Sequence, residues 1–196
     1  SIKEIESIKF HYVDLKDYIG VQKVLSENFD GVFHLAAQSH PPTSFINPIM
    51  TWNDNVSATM NLITLLENTD TKLMFCSTSE VYGDTGKDVG LLKVDSKILP
   101  LQERFANGKV KGFITRAFSH TGPRRGKIFS ISSDAYQIAK MELGLQEKIL
   151  KIGNLETERV VIDVRDCVNA YYMLMMTDKS NGNVYNVCGQ EVNKKQ

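Results

Sequence analysis

Gly31-Val-Phe-His-Leu-Ala-Ala-Gln-Ser-His40 holds an almost unbroken apolar run that stops at small and polar residues. A strand with one solvated face alternates apolar and polar positions, whereas a strand covered on both faces stays apolar. Residues 31–36 therefore read as a buried parallel strand. Working outward, 8–13, 72–77, 111–116 and 184–188 are further short apolar runs, with helical patterns between them. Val21, Val24 and Leu25 fall at helical spacing within 17–28. Pro48 opens a longer pattern in which Ile49, Trp52, Val56, Met60, Ile63 and Leu66 recur every three or four positions. Proline suits a first helical position, since its missing N–H has no intrahelical partner there. Ser132 or Ser133 is placed to cap a helix running to Gly144, and a last helix is read over 166–177. Strands and helices alternating in this way predict an α/β fold, a doubly wound parallel sheet of the Rossmann-like kind.

The 196 residues are 42% hydrophobic and 23% charged, and 23 Lys+Arg balance 23 Asp+Glu. This is the composition of an ordinary globular protein. Zero net charge gives no general pull towards nucleic acid or an anionic membrane, and neither is expected as a partner. No apolar stretch nears the roughly 20 residues that a membrane helix needs. The start, Ser1-Ile-Lys-Glu-Ile-Glu6, is unlike a signal peptide and has no initiator Met, which predicts a processed or truncated chain. Cys76, Cys167 and Cys188 lie far apart in apolar contexts without Cys-x-x-Cys spacing. An odd number of scattered thiols predicts a reducing, cytoplasmic setting. His11, His34, His40 and His120 show no metal-ligand spacing, and no metal is expected. His11 and His34 read as satisfied core or edge residues, and Tyr171-Tyr-Met-Leu-Met-Met176 as core or subunit interface.

In doubly wound sheets, ligands sit beyond the carboxyl ends of the strands. That rule selects Asp14-Leu15, Ala37-Gln-Ser-His40 and Ser77-Thr-Ser-Glu80. Small and hydroxyl residues there let a ligand approach the backbone and offer it hydrogen bonds. Each segment alone reads equally well as a plain turn. Three in register favour a ligand site.

These residues resemble a known family. Phe10-His-Tyr-Val-Asp-Leu15, Phe33-His-Leu-Ala-Ala-Gln-Ser-His40 and Ser77-Thr-Ser-Glu-Val-Tyr-Gly83 are similar to the extended short-chain dehydrogenase/reductases that act on nucleotide sugars. Within that group the resemblance is to the GDP-mannose 4,6-dehydratases and the related GDP-4-keto-6-deoxymannose reductases. Phe118-Ser-His-Thr-Gly-Pro-Arg-Arg-Gly126, Gly153-Asn-Leu-Glu-Thr-Glu-Arg159 and Asp163-Val-Arg-Asp166 extend it in the family's order over nearly the whole chain. The resemblance implies that Asp14 and Leu15 contact the adenine of NADP, a cofactor expected in preference to NAD. Leu35, Ala36, Ala37, Gln38 and Ser39 would line its nicotinamide half, and His120 and Arg125 would touch it elsewhere. Ser39, Ser79, Ser119 and Arg159 would bind the GDP-sugar, Arg159 at the diphosphate. Thr78 and Glu80 would be catalytic. Residues 1–126 would form an incomplete dinucleotide-binding domain, and 127–196 part of a nucleotide-sugar-binding region interleaved with the last sheet elements. A homo-oligomer, dimer or tetramer, is implied as well, and in the larger assembly Arg124 and Arg125 would reach a neighbour's cofactor.

The implied chemistry is oxidation at C4, elimination of water across C5 and C6, and return of the hydride to C6. The 4-ketone acidifies the C5 proton, which a carboxylate such as Glu80 can remove. A reductase needs no such carboxylate, so Thr78-Ser-Glu80 and Pro123-Arg-Arg-Gly126 favour the dehydratase. Three departures stand beside this. The family's Gly-x-x-Gly-x-x-Gly turn would precede residue 8 and is absent, and Gly83, Gly86 and Gly90 do not replace it. The family's catalytic Tyr-x-x-x-Lys is missing where Lys97-Ile-Leu-Pro100 runs into Leu101-Gln-Glu-Arg-Phe105, as if about fifteen residues of family spacing had been removed. Tyr12/Lys16 and Tyr136/Lys140 match that pattern by coincidence. Ser119 replaces a family Asn, Ser132 and Ser133 replace basic residues, and Met50 replaces an aromatic. Alternative readings are the 4-keto reductase, another nucleotide-sugar epimerase or decarboxylase, and a non-catalytic nucleotide-sugar-binding remnant.

Overall fold

A computed structural model of the chain describes residues 7–82, 100–155 and 158–193. The expected surface loop with Gly83, Gly86 and Gly90, and the lead-in at 97–99, lie outside them. The described residues form two compact units, the first of 7–75, 100–113 and 181–183, the second of 76–82, 114–155, 158–180 and 184–193.

The first unit opens with residues 8–13, expected as a strand. They run as irregular chain instead, and Ile8, Phe10, Tyr12 and Val13 are exposed. A strand exists only where a neighbouring backbone completes its hydrogen bonds, and among the described residues none pairs with this segment. Helix α1 (Tyr18–Leu25) is capped by Asp17, whose carboxylate accepts the Gly20 N–H at 3.1 Å. Strand β1 (Gly31–His34) is shorter than expected and is not covered on both faces: His34 is buried, but Phe33 is 42% exposed, because an apolar run shows what a strand can bury and not what packs on it. Strand β2 (Lys72–Thr78) lies parallel to it with His34 opposite Phe75. Helices α2 (Pro41–Ile46) and α3 (Pro48–Trp52) both begin on proline. A wide π-turn over Asn53–Ser57 then carries the chain into α4 (Ala58–Leu66). Ala58, Leu62 and Leu66, with Thr59 and Ile63, are the buried stripe of α4. Helix α5 (Pro100–Ala106) follows, and Arg104 pairs with Glu67.

Strand β3 (Gly112–Ala117) is buried along its whole length, as its apolar run predicts. At its start Lys111 C=O accepts the Leu73 N–H at 2.9 Å. Gly112 sits at φ 149°, and a Cβ there would lie 2.0 Å from the Leu73 carbonyl oxygen. Only glycine permits that conformation and that approach. The parallel sheet runs in the order β1-β2-β3-β6, with β6 over Val184–Val187. Within the second unit, Ile114 to Ala117 pair in parallel with Val184 to Val187.

That unit adds a second sheet. Strand β4 (Ser119–Thr121) pairs in parallel with β5 (Glu158–Asp163), which pairs antiparallel with β7 (Gln190–Asn193). Helix α6 spans Ser130–Glu142, starting before the expected serine cap; Phe129 stands at the cap without a side-chain bond. Ser132 and Ser133 therefore lie inside the helix, where first-turn positions tolerate serine. Helix α7 (Val164–Met175) begins at Asp163, which accepts the Arg165 N–H at 2.8 Å. Of the Tyr171–Met176 stretch, Tyr171 is buried, whereas Tyr172, Met173 and Met176 are exposed.

Candidate functional site

Two loci carry the expected site residues, one in each unit. In the first, Asp14 and Leu15 precede α1. The Lys16 N–H donates to Asp14 at 2.9 Å and holds this carboxyl below its usual range. Lys16 Nζ meets Asp54 at 2.5 Å, and the Leu15 carbonyl accepts Asn61 Nδ2 at 2.9 Å. Leu35, Ala36 and Ala37 follow the end of β1 and are exposed, Leu35 to 59%. An exposed leucine beside two methyl side chains leaves both an apolar shelf and open backbone for a flat ligand. Ser39 is exposed beside them.

Gln38 is held differently. Its N–H donates to Asn55 Oδ1 at 2.7 Å, and Asn55 Nδ2 donates back to the Gln38 carbonyl at 3.0 Å. The Gln38 side chain donates to Thr51 Oγ1 at 3.1 Å and accepts the His40 N–H at 2.6 Å. Behind the clamp, Thr59 Oγ1 donates to the Asn55 carbonyl at 2.6 Å. Its one hydrogen is thus spent, so it accepts from His34 Nε2 at 2.8 Å, which places a proton on Nε2 in the neutral ring that burial favours. Burial pushes the His34 pKa down, in keeping with that state.

In the second unit, Thr78 ends β2 and a 3₁₀ turn covers Ser79–Tyr82. The Glu80 N–H donates to Thr78 Oγ1 at 3.2 Å, and both side chains are exposed, with Ser79 half-buried between them. The turn is anchored by Tyr82. Its hydroxyl donates to Asn186 Oδ1 at 2.7 Å and accepts from Arg116 Nη1 at 3.0 Å. The Arg116 guanidinium, only 1% exposed, also lies 4.9 Å from the centre of the tyrosine ring.

The same unit holds a cleft of about 590 Å³ lined by Ser119, His120, Arg125, Ser133, Asp134 and Lys151 among others. His120 Nδ1 lies 3.1 Å from the Phe118 carbonyl. Arg125 stacks at 4.1 Å on Phe129, and burial lowers its pKa. No carboxylate among the described residues forms an ion pair with it. A partly desolvated guanidinium facing a cleft suits an anionic group. Arg124 next to it sits at φ 72°, a left-handed conformation costly for a side-chain-bearing residue. Arg159 lies on β5 opposite Val192 of β7.

The structure thus brings Ser119, His120 and Arg125 to one cleft, and Thr78, Ser79 and Glu80 to one turn. It also corrects what periodicity missed: Asn55, Thr59 and Thr51 belong to the Gln38 locus. The signal was Asn53-Asp-Asn55, poor helix formers in the middle of an apolar helical pattern. Neither Tyr-x-x-x-Lys match builds an acid–base pair. Tyr12 is 87% exposed on irregular chain, and Lys16 is engaged by Asp14 and Asp54. Lys140 and Lys127 stand 5.6 and 4.0 Å from the ring centre of Tyr136, against its face.

The family model described as GDP-mannose 4,6 dehydratase matches residues 1–91 and 105–195. The chain belongs to the GDP-mannose 4,6-dehydratase family. The interruption at 92–104 contains the Pro100–Leu101 junction, where the family's spacing breaks in the sequence. Among relatives, the chain is 30% identical over 200 residues to the GDP-6-deoxy-D-mannose reductase of Pseudomonas aeruginosa, covering 92% of this chain and 65% of that protein. It is 28% identical over 197 residues to a GDP-mannose 4,6-dehydratase of Vibrio cholerae, covering 90% of this chain and 52% of the relative. The chain therefore spans between half and two thirds of the length of these curated relatives. The solved structure of RMD from Pseudomonas aeruginosa complexed with NADPH matches with a TM-score of 0.85 at 29% identity, covering 94% of this chain and 69% of that one. Membership of the GDP-mannose 4,6-dehydratase family accounts for the Rossmann-like sheet and for the positions of the strand-end segments.

Proposed function

We propose that the protein is an NADP-dependent GDP-mannose 4,6-dehydratase, with 1–126 serving the dinucleotide and 127–196 the nucleotide sugar. The observation that carries this reading is Glu80, an exposed carboxylate in a braced turn at the carboxyl end of a parallel strand, beside the Thr78 hydroxyl. A nicotinamide dinucleotide fits the exposed Leu35–Ala36–Ala37 shelf, with Gln38 and Ser39 beside it and Asp14 and Leu15 at its adenine end. His120 and Arg125 are the further residues that this reading assigns to the dinucleotide. When bound, it would supply a reversible hydride acceptor for oxidation at C4 and reduction at C6, the latter with uptake of a proton at C5. Thr78 hydrogen-bonds the sugar's 4-hydroxyl. Glu80 removes the C5 proton once C4 is a ketone and delivers a proton to the departing C6 hydroxyl, so that water leaves. The 4-hydroxyl proton passes to solvent water, since neither tyrosine–lysine match among the described residues forms an acid–base pair. Ser79, Ser119 and Arg159 hold the GDP-sugar, Arg159 on the diphosphate.

The test is incubation with GDP-mannose and NADP⁺. The expected product is a 4-keto-6-deoxy sugar, lighter by one water, and the Glu80→Gln variant is expected to lose about 10²–10⁴-fold in rate while still binding the nucleotide sugar. A folded protein that binds GDP-mannose and NADP⁺ but forms no product contradicts the dehydratase. One observation favours a second reading, a 4-keto-6-deoxymannose reductase: the reductase from Pseudomonas aeruginosa is the 30% identical relative. NADPH consumption on a 4-keto-6-deoxy sugar, without dehydration of GDP-mannose, decides for it. A homo-oligomer in a reducing, cytoplasmic setting completes the proposal, supported by the three free cysteines and by exposed Phe45, Ile49 and Trp52 on α2 and α3. No described helix is long and apolar enough to cross a membrane.

A further inference from the structure

We propose that Asn55, held from behind by Thr59 and His34, is the positioning residue that presents the 35–39 segment to the dinucleotide. The inference rests on the dinucleotide reading above and assigns roles to three residues which that reading does not use. A segment that leaves a strand end has no ladder to hold it, and its N–H and C=O groups must find partners elsewhere. Gln38 finds both on one side chain: Asn55 accepts its N–H at 2.7 Å and donates to its carbonyl at 3.0 Å. An amide is the side chain that can do this, because it carries an acceptor and a donor side by side. The two partners also settle which end of the amide is oxygen.

The clamp is itself placed by unusual backbone. Asn55 lies in the π-turn Asn53–Ser57, where the Ala58 N–H reaches back to the Asn53 carbonyl. Such a wide turn leaves carbonyls poorly satisfied within the helix. The Asn55 carbonyl is met by Thr59 Oγ1 at 2.6 Å, and Thr59 is held in turn by His34 Nε2 at 2.8 Å. His34 is the last residue of β1, so the relay starts and ends on either side of the apolar shelf Leu35–Ala37. It fixes the shelf at both its ends. Gln38 Nε2 on Thr51, at 3.1 Å, adds a second tie to α3. Preorganisation of this kind raises affinity by removing the ordering cost from the binding step.

The experiment measures dissociation constants for NADP⁺ in the full protein, together with hydrogen exchange at the Gln38 amide, all well below the melting temperature. Asn55→Ala removes both clamp bonds; exchange at Gln38 should accelerate and NADP⁺ binding should weaken about ten- to a hundredfold. Thr59→Val keeps the shape and loses the hydroxyl, and should weaken binding about three- to tenfold. Thr59→Ser restores the hydroxyl and should bind within about twofold of the unaltered protein, a rescue that loss of packing alone would not give. If Asn55→Ala does not fold, the Thr59 pair carries the test. Folded Asn55→Ala or Thr59→Val with unchanged NADP⁺ binding overturns the positioning role and leaves the dinucleotide reading standing. Failure of the unaltered, folded protein to bind either NADP⁺ or NAD⁺ overturns that reading, and this proposal with it.

Discussion

His34 shows how one buried ring ties stability to pH. Burial lowers its pKa from an ordinary 6.5. Unfolding returns the ring to water, so below that value the unfolded chain takes up a proton that the folded chain resists. The stabilisation is complete above about pH 6.5, shrinks as the pH falls, and stops shrinking below the lowered folded value. Thermal melts from about pH 7.5 to about pH 5 should show this loss, and His34→Gln should flatten it. Equal pH slopes in both proteins would refute the assignment. Tyr82 makes a different kind of prediction. Tyr82→Phe deletes a hydroxyl that bonds both Arg116 and Asn186 in a buried setting. Removing one member of such a group should cost about 1–3 kcal/mol in denaturant unfolding. Activity should fall beyond that loss, because the turn bearing Glu80 is braced there. Both effects are residue-scale, since neither backbone path nor fold needs to change.

Among the elements, β3 depends most on one position. Gly112→Ala would put a Cβ 2.0 Å from the Leu73 carbonyl oxygen at φ 149°, which β2 and β3 can relieve only by separating. A destabilisation of about 3 kcal/mol or more is expected in chemical denaturation. An Ala variant with unchanged midpoint would contradict this account of the strand pairing. Next to it, Phe113 is fully buried with Lys72 Nζ 5.4 Å from its ring centre, so Phe113→Ala should cost about 3–5 kcal/mol. Helix α7 illustrates a milder dependence. Asp163 caps it, and hydrogen bonds from Arg165 lower its pKa to about 2. The capping stabilisation is therefore present at neutral pH and is lost only as the pH falls from about 3.8 towards 2.

For the whole molecule, the prediction concerns charge at the cleft. Arg125→Ala should weaken NADP⁺ binding about tenfold or more and should flatten its salt dependence, read by calorimetric titration at two ionic strengths. Unaltered affinity would remove Arg125 from the anion site. At this scale it is also clear what was legible beforehand. The alternation of apolar runs with helical patterns determined the parallel sheet; it also showed the burial of β3, but not that of β1, where Phe33 is exposed. Asp14, Leu35–Ser39, Thr78–Glu80 and His120–Arg125 were legible as strand-end or motif segments, and the GDP-mannose 4,6-dehydratase family follows from them. Residues 8–13 misled, because apolar character shows what a segment can bury and not whether a partner strand lies beside it. The short strands β4, β5 and β7 were missed, since a pairing such as Ser119 with Val161 joins residues far apart in the chain and leaves no local period. The Asn55 clamp escaped for the same reason: the sequence alone determined where the elements run, whereas only the tertiary structure decided which distant N–H and C=O groups meet.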